Sequence, residues 1–109
     1  MSEYTCTITY PAGRRKIEWH PATPTESSPC HLGDHITFLS PDIMSQIHFG
    51  VNSPFEKASG PHLYTIPHGN HIKLAIANPH SDVYKFNCMP NGAIIENSGG
   101  EVPVHGSKR

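Results

Sequence analysis

Val83-Tyr84-Lys85-Phe86-Asn87-Cys88-Met89-Pro90 is the stretch on which the fold turns. Tyr84, Phe86 and Cys88 recur at every second position, with Lys85 and Asn87 between them. That spacing puts one set of side chains on one face of a β-strand. Upstream, Ile72-Lys73-Leu74-Ala75-Ile76 alternates in the same way. The segment between, Asn78-Pro79-His80-Ser81-Asp82, is dense in turn formers, so the whole stretch reads as two strands joined by a turn.

The same period runs through the rest of the chain. Tyr4, Cys6, Ile8 and Tyr10 share one face of a first strand and three threonines share the other. Lys16-Ile17-Glu18-Trp19 makes a shorter second strand, with Ile17 and Trp19 inward. His20 to Gly33 is rich in Pro, Ser and Thr and reads as a long irregular surface connection, a length that is uncommon unless it packs across an edge or serves a purpose. His35-Ile36-Thr37-Phe38-Leu39 and Ile47-His48-Phe49-Gly50-Val51 are strands whose inward sets are Ile36 with Phe38, and Ile47 with Phe49 and Val51. Between them Ser40 to Gln46 is a loop or a single helical turn. Asn52 to Gly60 is a loop, His62 to Ile66 a short strand, and Pro67-His68-Gly69-Asn70 a turn. Ala93-Ile94-Ile95 and Glu101-Val102-Pro103-Val104 read as closing strands, Pro103 marking the last as an edge or bulged strand. The tail from His105 to Arg109 is expected to fray. Seven to eight short strands without a helix of 10 residues predict an all-β chain: a Greek-key antiparallel sandwich or small barrel.

Composition sets the outer bounds. The chain has 109 residues, a formal net charge of −1, nine His and three Cys, which suits a single domain over residues 1–109. No run approaches the ~20 apolar residues of a membrane-spanning helix, and the near-neutral charge argues against a phosphate-binding surface. Neither a membrane nor a nucleic acid is therefore an expected partner, and an unidentified protein is. Met1 to Tyr10 lacks a basic region followed by an apolar run. Cytoplasm is the expected compartment for a full-length chain, and periplasm or the exterior for one that has lost a leader. Thiols are the default in reducing cytosol, with a Cys6–Cys30 bridge the alternative. There is no Cys-x-x-Cys pair, Gly-x-Ser-x-Gly elbow, P-loop or His-Glu-x-x-His helix, so no catalytic constellation stands out and an enzyme is not expected.

Three phrases resemble the cupredoxins. Gly33-Asp34-His35-Ile36-Thr37-Phe38 is similar to one strand opening of that family, Val83 to Pro90 to its "Y-x-F-x-C-x-P" strand, and Glu101 to Val104 to its terminal strand. The resemblance spans about residues 30–104 and implies a sandwich with a metal site at one end. In that family a type 1 copper is held by two His, one Cys and often a Met. Cys88 stands where the Cys ligand would stand. Asn91 follows where the second His belongs, Gly92 to Asn97 holds no Met, and Ser45 and Gln46 occupy the place of the first His, with His48 too deep and on the wrong face. One ligand of four in register makes orthodox blue-copper electron transfer an unexpected function.

The resemblance also implies that the turn carrying His68 and His71 lies at the end of the sandwich that holds Cys88. Cys88, His68, His71 and Met89 are thus a candidate metal set suited to copper or zinc. Against it, Cys88 reads equally as a small core hydrophobe, and His68 and His71 as solvated turn residues. His31 and His35 flank Gly33-Asp34, so their spacing implies no shared helical face. His20, His62, His80 and His105 read as surface residues. The aromatic residues fall mostly on inward phases and read as core, and Arg14-Arg15-Lys16 reads as a solvated strand end. A metal-free interaction or structural module is the alternative, with His20 to Gly33 as its contact surface. A cupin-like barrel is a further one, on the faint motif Pro67-x-Gly69-x-His71; it requires His48 and His71 to meet inside.

Overall fold

Alternation becomes strand almost wherever the sequence shows it. The computed structural model describes residues 2–92 and 99–107. Nine strands run through them: β1 (Glu3–Thr9), β2 (Lys16–His20), β3 (Cys30–His31), β4 (His35–Ser40), β5 (Ser45–Gly50), β6 (His62–Ile66), β7 (Asn70–Ala75), β8 (Asp82–Pro90) and β9 (Gly100–His105). A short 3-10 turn, Pro11–Gly13, joins β1 to β2.

The strands form two sheets, one in the order β2-β1-β4-β7 and one in the order β3-β9-β8-β5-β6. Most neighbours are antiparallel, but β1 runs parallel to β4 and β3 runs parallel to β9. The sandwich is therefore mixed, where the sequence suggested purely antiparallel pairing. Alternation reveals which face a side chain takes and leaves open which strand lies next to it.

The inward faces meet as predicted. Cys6, Ile8, Ile36, Phe38, Ile47, Tyr84, Phe86, Cys88 and Val102 are all buried. Phe38 lies edge-on to Trp19, Phe55 and Phe86, with ring centres 6.4, 6.0 and 6.1 Å away. Edge-to-face rings at such distances add attraction beyond their area burial. Phe55 reaches this cluster from the 52–60 loop, which a Ser53↔Glu56 bridge and the Asn78 Nδ2 to Ser53 O bond of 3.0 Å hold in place.

Several local expectations are corrected. Val51 is 64% exposed rather than inward: the β5–β6 register shifts between His48 and Gly50, and Gly50 takes φ of 76°, a left-handed conformation open to glycine. The His20 to Gly33 connection contains the two-residue strand β3. Pro103 sits in a strand flanked on both sides, yet β3 pairs only with Val104 and His105, so at Pro103 itself the strand has β8 as its one partner. The segment after His105 is held down, with Gly106 N bonded to Ser81 Oγ at 2.8 Å and Leu32 N to Ser107 O at 3.3 Å. The expected strand Ala93-Ile94-Ile95 lies outside the described residues. Cys6, Cys30 and Cys88 are not disulfide-bonded.

Candidate functional site

Cys88 is fully buried on β8, opposite Ile47 of β5, because the period of that strand turns Tyr84, Phe86 and Cys88 inward together. Two residues on, Pro90 pairs with Ser45, and Ser45 pairs with Ile66 at the end of β6. The β6–β7 turn follows directly, and Gly69 N donates to Ser40 O at 2.8 Å. The turn bearing His68, with His71 at the start of β7, is thus at the end of the sandwich to which Cys88 and Met89 lead.

Side chains there do not converge on a metal. His68 and His71 are exposed and Met89 is half-buried; His71 stands opposite Leu39 in the other sheet. Among the described residues no three of His, Cys, Asp and Glu come together in a group that could hold a metal ion. Topology brings the candidate set Cys88, His68, His71 and Met89 to one end; geometry does not gather it.

Hydroxyls occupy this end instead. Tyr10 OH lies 3.1 Å from Ser45 Oγ, and Ser45 Oγ lies 2.8 Å from Ser40 Oγ. Ser40 Oγ in turn donates to Ile43 O. Both serines are fully buried, so the chain satisfies groups that would otherwise cost stability. Asn91, with φ of 50°, turns the backbone after β8 and donates its amide to Met44 O at 2.8 Å. Hydroxyl oxygens are poor partners for a copper that favours thiolate and imidazole. Among the described residues at this end, the thiolate and imidazole donors of a type 1 copper are not gathered.

The electrostatics of the thiol agree with that. Burial pushes the Cys88 thiol up to about 11, against the opposing pull of the Arg15 guanidinium. Burial also raises Cys6, with a smaller contribution from Cys88, and it raises Tyr10 despite the Ser45 hydrogen bond. Such a thiol resists becoming the thiolate that ligates or attacks. The consequence for stability has a definite sign. Between the ordinary thiol value of ~8.5 and 11, the folded chain keeps a proton that the unfolded chain has released. The Cys88 contribution is therefore full below about pH 8.5 and is lost as pH rises through 11, a decline of up to about 3 kcal/mol. Urea unfolding between pH 7 and 11 should show the fall, and Cys88→Ser should flatten part of it; an identical slope in that variant would refute the assignment.

A second feature lies on the flank of the sandwich. Residues 21–29 cross from β2 to β3, and Thr23 to Glu26 form one side of an open cleft of about 480 Å³ whose other walls include Arg15, Ile17, Trp19 and Glu101. Arg15 Nε is buried there without a hydrogen-bond partner. The sequence marked the connection as a contact surface and read Arg15 as solvated. The basic triplet alone carries no sign that its middle residue lines a cleft with Thr23 to Glu26.

The cupin-like alternative does not stand. His48 lies on β5 opposite Asn87 and Leu63, and His71 lies in the other sheet opposite Leu39. Glu56 is engaged by His62 Nδ1 at 3.1 Å and by Tyr64 OH.

Solved structures of amicyanin share this architecture. A copper(I) form with a methionine-to-glutamine substitution superposes with a TM-score of 0.52 at 14% identity, over 96% of this chain and 94% of that one. A reduced tryptophan-to-tyrosine variant gives 0.51 at 17% identity, over 91% and 80%. A reduced copper(I) proline-to-glycine variant at pH 4 gives 0.50 at 16% identity, over 93% and 82%. No family model and no curated protein matches the chain. The fold is cupredoxin-like, a β-sandwich shared with copper proteins.

Proposed function

We propose that this chain is a cupredoxin-like binding module that uses the sandwich as a rigid frame and carries no electrons on a Cys–His–His copper. The observation that carries the reading is the chain from the half-buried Tyr10 hydroxyl to the buried Ser45 and Ser40 hydroxyls, beside a protonated Cys88. A second, independent feature supports one place for that binding. The cleft beside Thr23 to Glu26 sets a partly buried guanidinium and the Trp19 ring against Glu26 and Glu101. That lining suits a peptide segment of a protein partner carrying both an anionic and a basic group, with apolar surface for Trp19.

Two measurements test this. Metal-stripped protein titrated with Cu(II) is expected to show weak absorption bands that persist in Cys88→Ser. An intense thiolate-to-copper band near one equivalent, absent from Cys88→Ser, would overturn the reading. For the cleft, Trp19 is the sole tryptophan and reports directly. Peptides selected for binding should shift its fluorescence and lose about tenfold or more in affinity with Arg15→Ala. Binders that leave Trp19 unchanged would place the contact elsewhere.

A second reading keeps the metal. The position of the His68–His71 turn at the Ser40 end favours a copper or zinc site of Cys88, His68, His71 and Met89, formed by rearrangement of that turn. The same titration decides it, because its signal would vanish in both Cys88→Ser and His71→Ala.

A further inference from the structure

His31 and His105 stand directly opposite one another in the parallel strands β3 and β9. Among the described strands they are the one pair of histidines that register sets face to face. Elsewhere His20 meets Thr5, His35 meets Glu3 and Ala75, His48 meets Asn87 and Leu63, His62 meets Gly50, and His71 meets Leu39. Their chain neighbours Cys30 and Val104 are buried in the core, so the two imidazoles share the outer face of the five-stranded sheet. Their ring centres are 5.8 Å apart and their planes are inclined by 42°.

Hydrogen bonding leaves these rings ready to act as donors. His105 Nδ1 lies 2.7 Å from Ser107 Oγ. With Nδ1–H donating to that hydroxyl, Nε2 keeps its lone pair, the arrangement by which an outer partner orients a metal-ligating histidine. His31 Nδ1 is buried and has no hydrogen-bond partner. Buried polar atoms are almost always satisfied, so an orphan nitrogen beside a second imidazole calls for an explanation.

We propose that His31 and His105 form a two-imidazole site for a late first-row divalent cation, zinc(II) or copper(II), at the β3–β9 edge. Imidazole is a favoured donor for both metals. A cation held by two ring nitrogens at about 2.0–2.1 Å keeps the ring centres within roughly 6.5 Å, and the observed separation is inside that limit. Two protein donors leave the other positions to water, which makes the site exchangeable rather than a closed structural one. It lies on the outer face and is separate from the buried Cys88. Bound metal would also clamp β3, which pairs with β9 through only two residues. The site is independent of the binding cleft and of the fate of the Cys88 end.

Calorimetric titration of the full chain with Zn(II) at neutral pH tests this, followed by melting with and without the metal. The parent is expected to bind one equivalent and to melt at a higher temperature with Zn(II) present. His31→Ala and His105→Ala should each weaken binding at least about tenfold and abolish the rise in melting temperature, and Ser107→Ala should weaken it less. His105 is exposed, so His105→Ala carries the test even if His31→Ala folds poorly. A His68→Ala/His71→Ala double variant should bind like the parent. Parent-like binding by His105→Ala, or loss of binding in the His68/His71 double variant, would overturn the proposal and assign the binding to other histidines.

Discussion

Phe38→Ala is expected to lower the unfolding free energy by about 3–5 kcal/mol, the range for emptying a large aromatic site in a packed core. Phe38 is fully buried on β4, an inner strand flanked by β1 and β7. Its ring is the meeting point of three others drawn from different parts of the chain: Trp19 from β2, Phe86 from the opposite sheet and Phe55 from the 52–60 loop. Removing it opens a cavity that backbone ladders on either side prevent from collapsing, and it leaves three edge-to-face contacts unmade. Domains of this size hold about 5–15 kcal/mol in total, so the loss is a large fraction of the whole. Phe38→Leu fills most of the space and should cost clearly less. Urea denaturation of both variants decides it; a loss below about 1 kcal/mol for Phe38→Ala would mean that the two sheets are held elsewhere.

How much of this was legible depends on the range of the interaction. The inward phase of β1, β4 and β8 was readable because a half-buried strand writes its burial into every second residue. Cys6, Ile36, Phe38 and Cys88 all fell where that period put them. Val51 failed because the period ends at a single glycine, and Gly50 turns the chain out of register before Val51 is reached. The two-residue strand β3 is too short to carry a period, and Cys30-His31 looked like part of a Pro- and Ser-rich connection. At the candidate site, the burial of Cys88 was legible from its strand period, and the family resemblance implied which end of the sandwich the Pro67 to Asn70 turn joins. The Tyr10–Ser45–Ser40 chain was not, since serine is common in loops and these hydroxyls meet only after β1, β4 and β5 have been placed. The pairing of His31 with His105 was invisible for the same reason. It depends on the parallel register of strands far apart in sequence, and nothing local distinguishes those two histidines from the other seven.

Asp34→Ala is expected to cost about as much as emptying the Phe38 site, by a different route. Asp34 is fully buried, as few carboxylates are unless their oxygens are engaged. Its Oδ1 accepts Ser2 N and its Oδ2 accepts His31 N, each at 2.9 Å. Its backbone amide donates to His31 O at 3.0 Å, and its carbonyl accepts Ile76 N at 2.8 Å. One residue therefore ties the start of β1, the β3–β4 turn and the end of β7 together. Alanine leaves two backbone N–H groups without their acceptor. Two hydrogen bonds to a carboxylate, at about 1.5–3 kcal/mol each, put the loss at about 3–6 kcal/mol. Asp34→Asn makes the argument sharper, because it preserves volume. An amide offers one carbonyl oxygen and points an NH₂ at the other backbone donor, so one bond is lost and a donor–donor clash appears. It should therefore cost roughly half as much as alanine or more, with no cavity to explain it. If Asp34→Asn is neutral in urea unfolding, the carboxylate is not the clasp of this turn, and the position of His31 beside β9 must be fixed by the strand pairing alone.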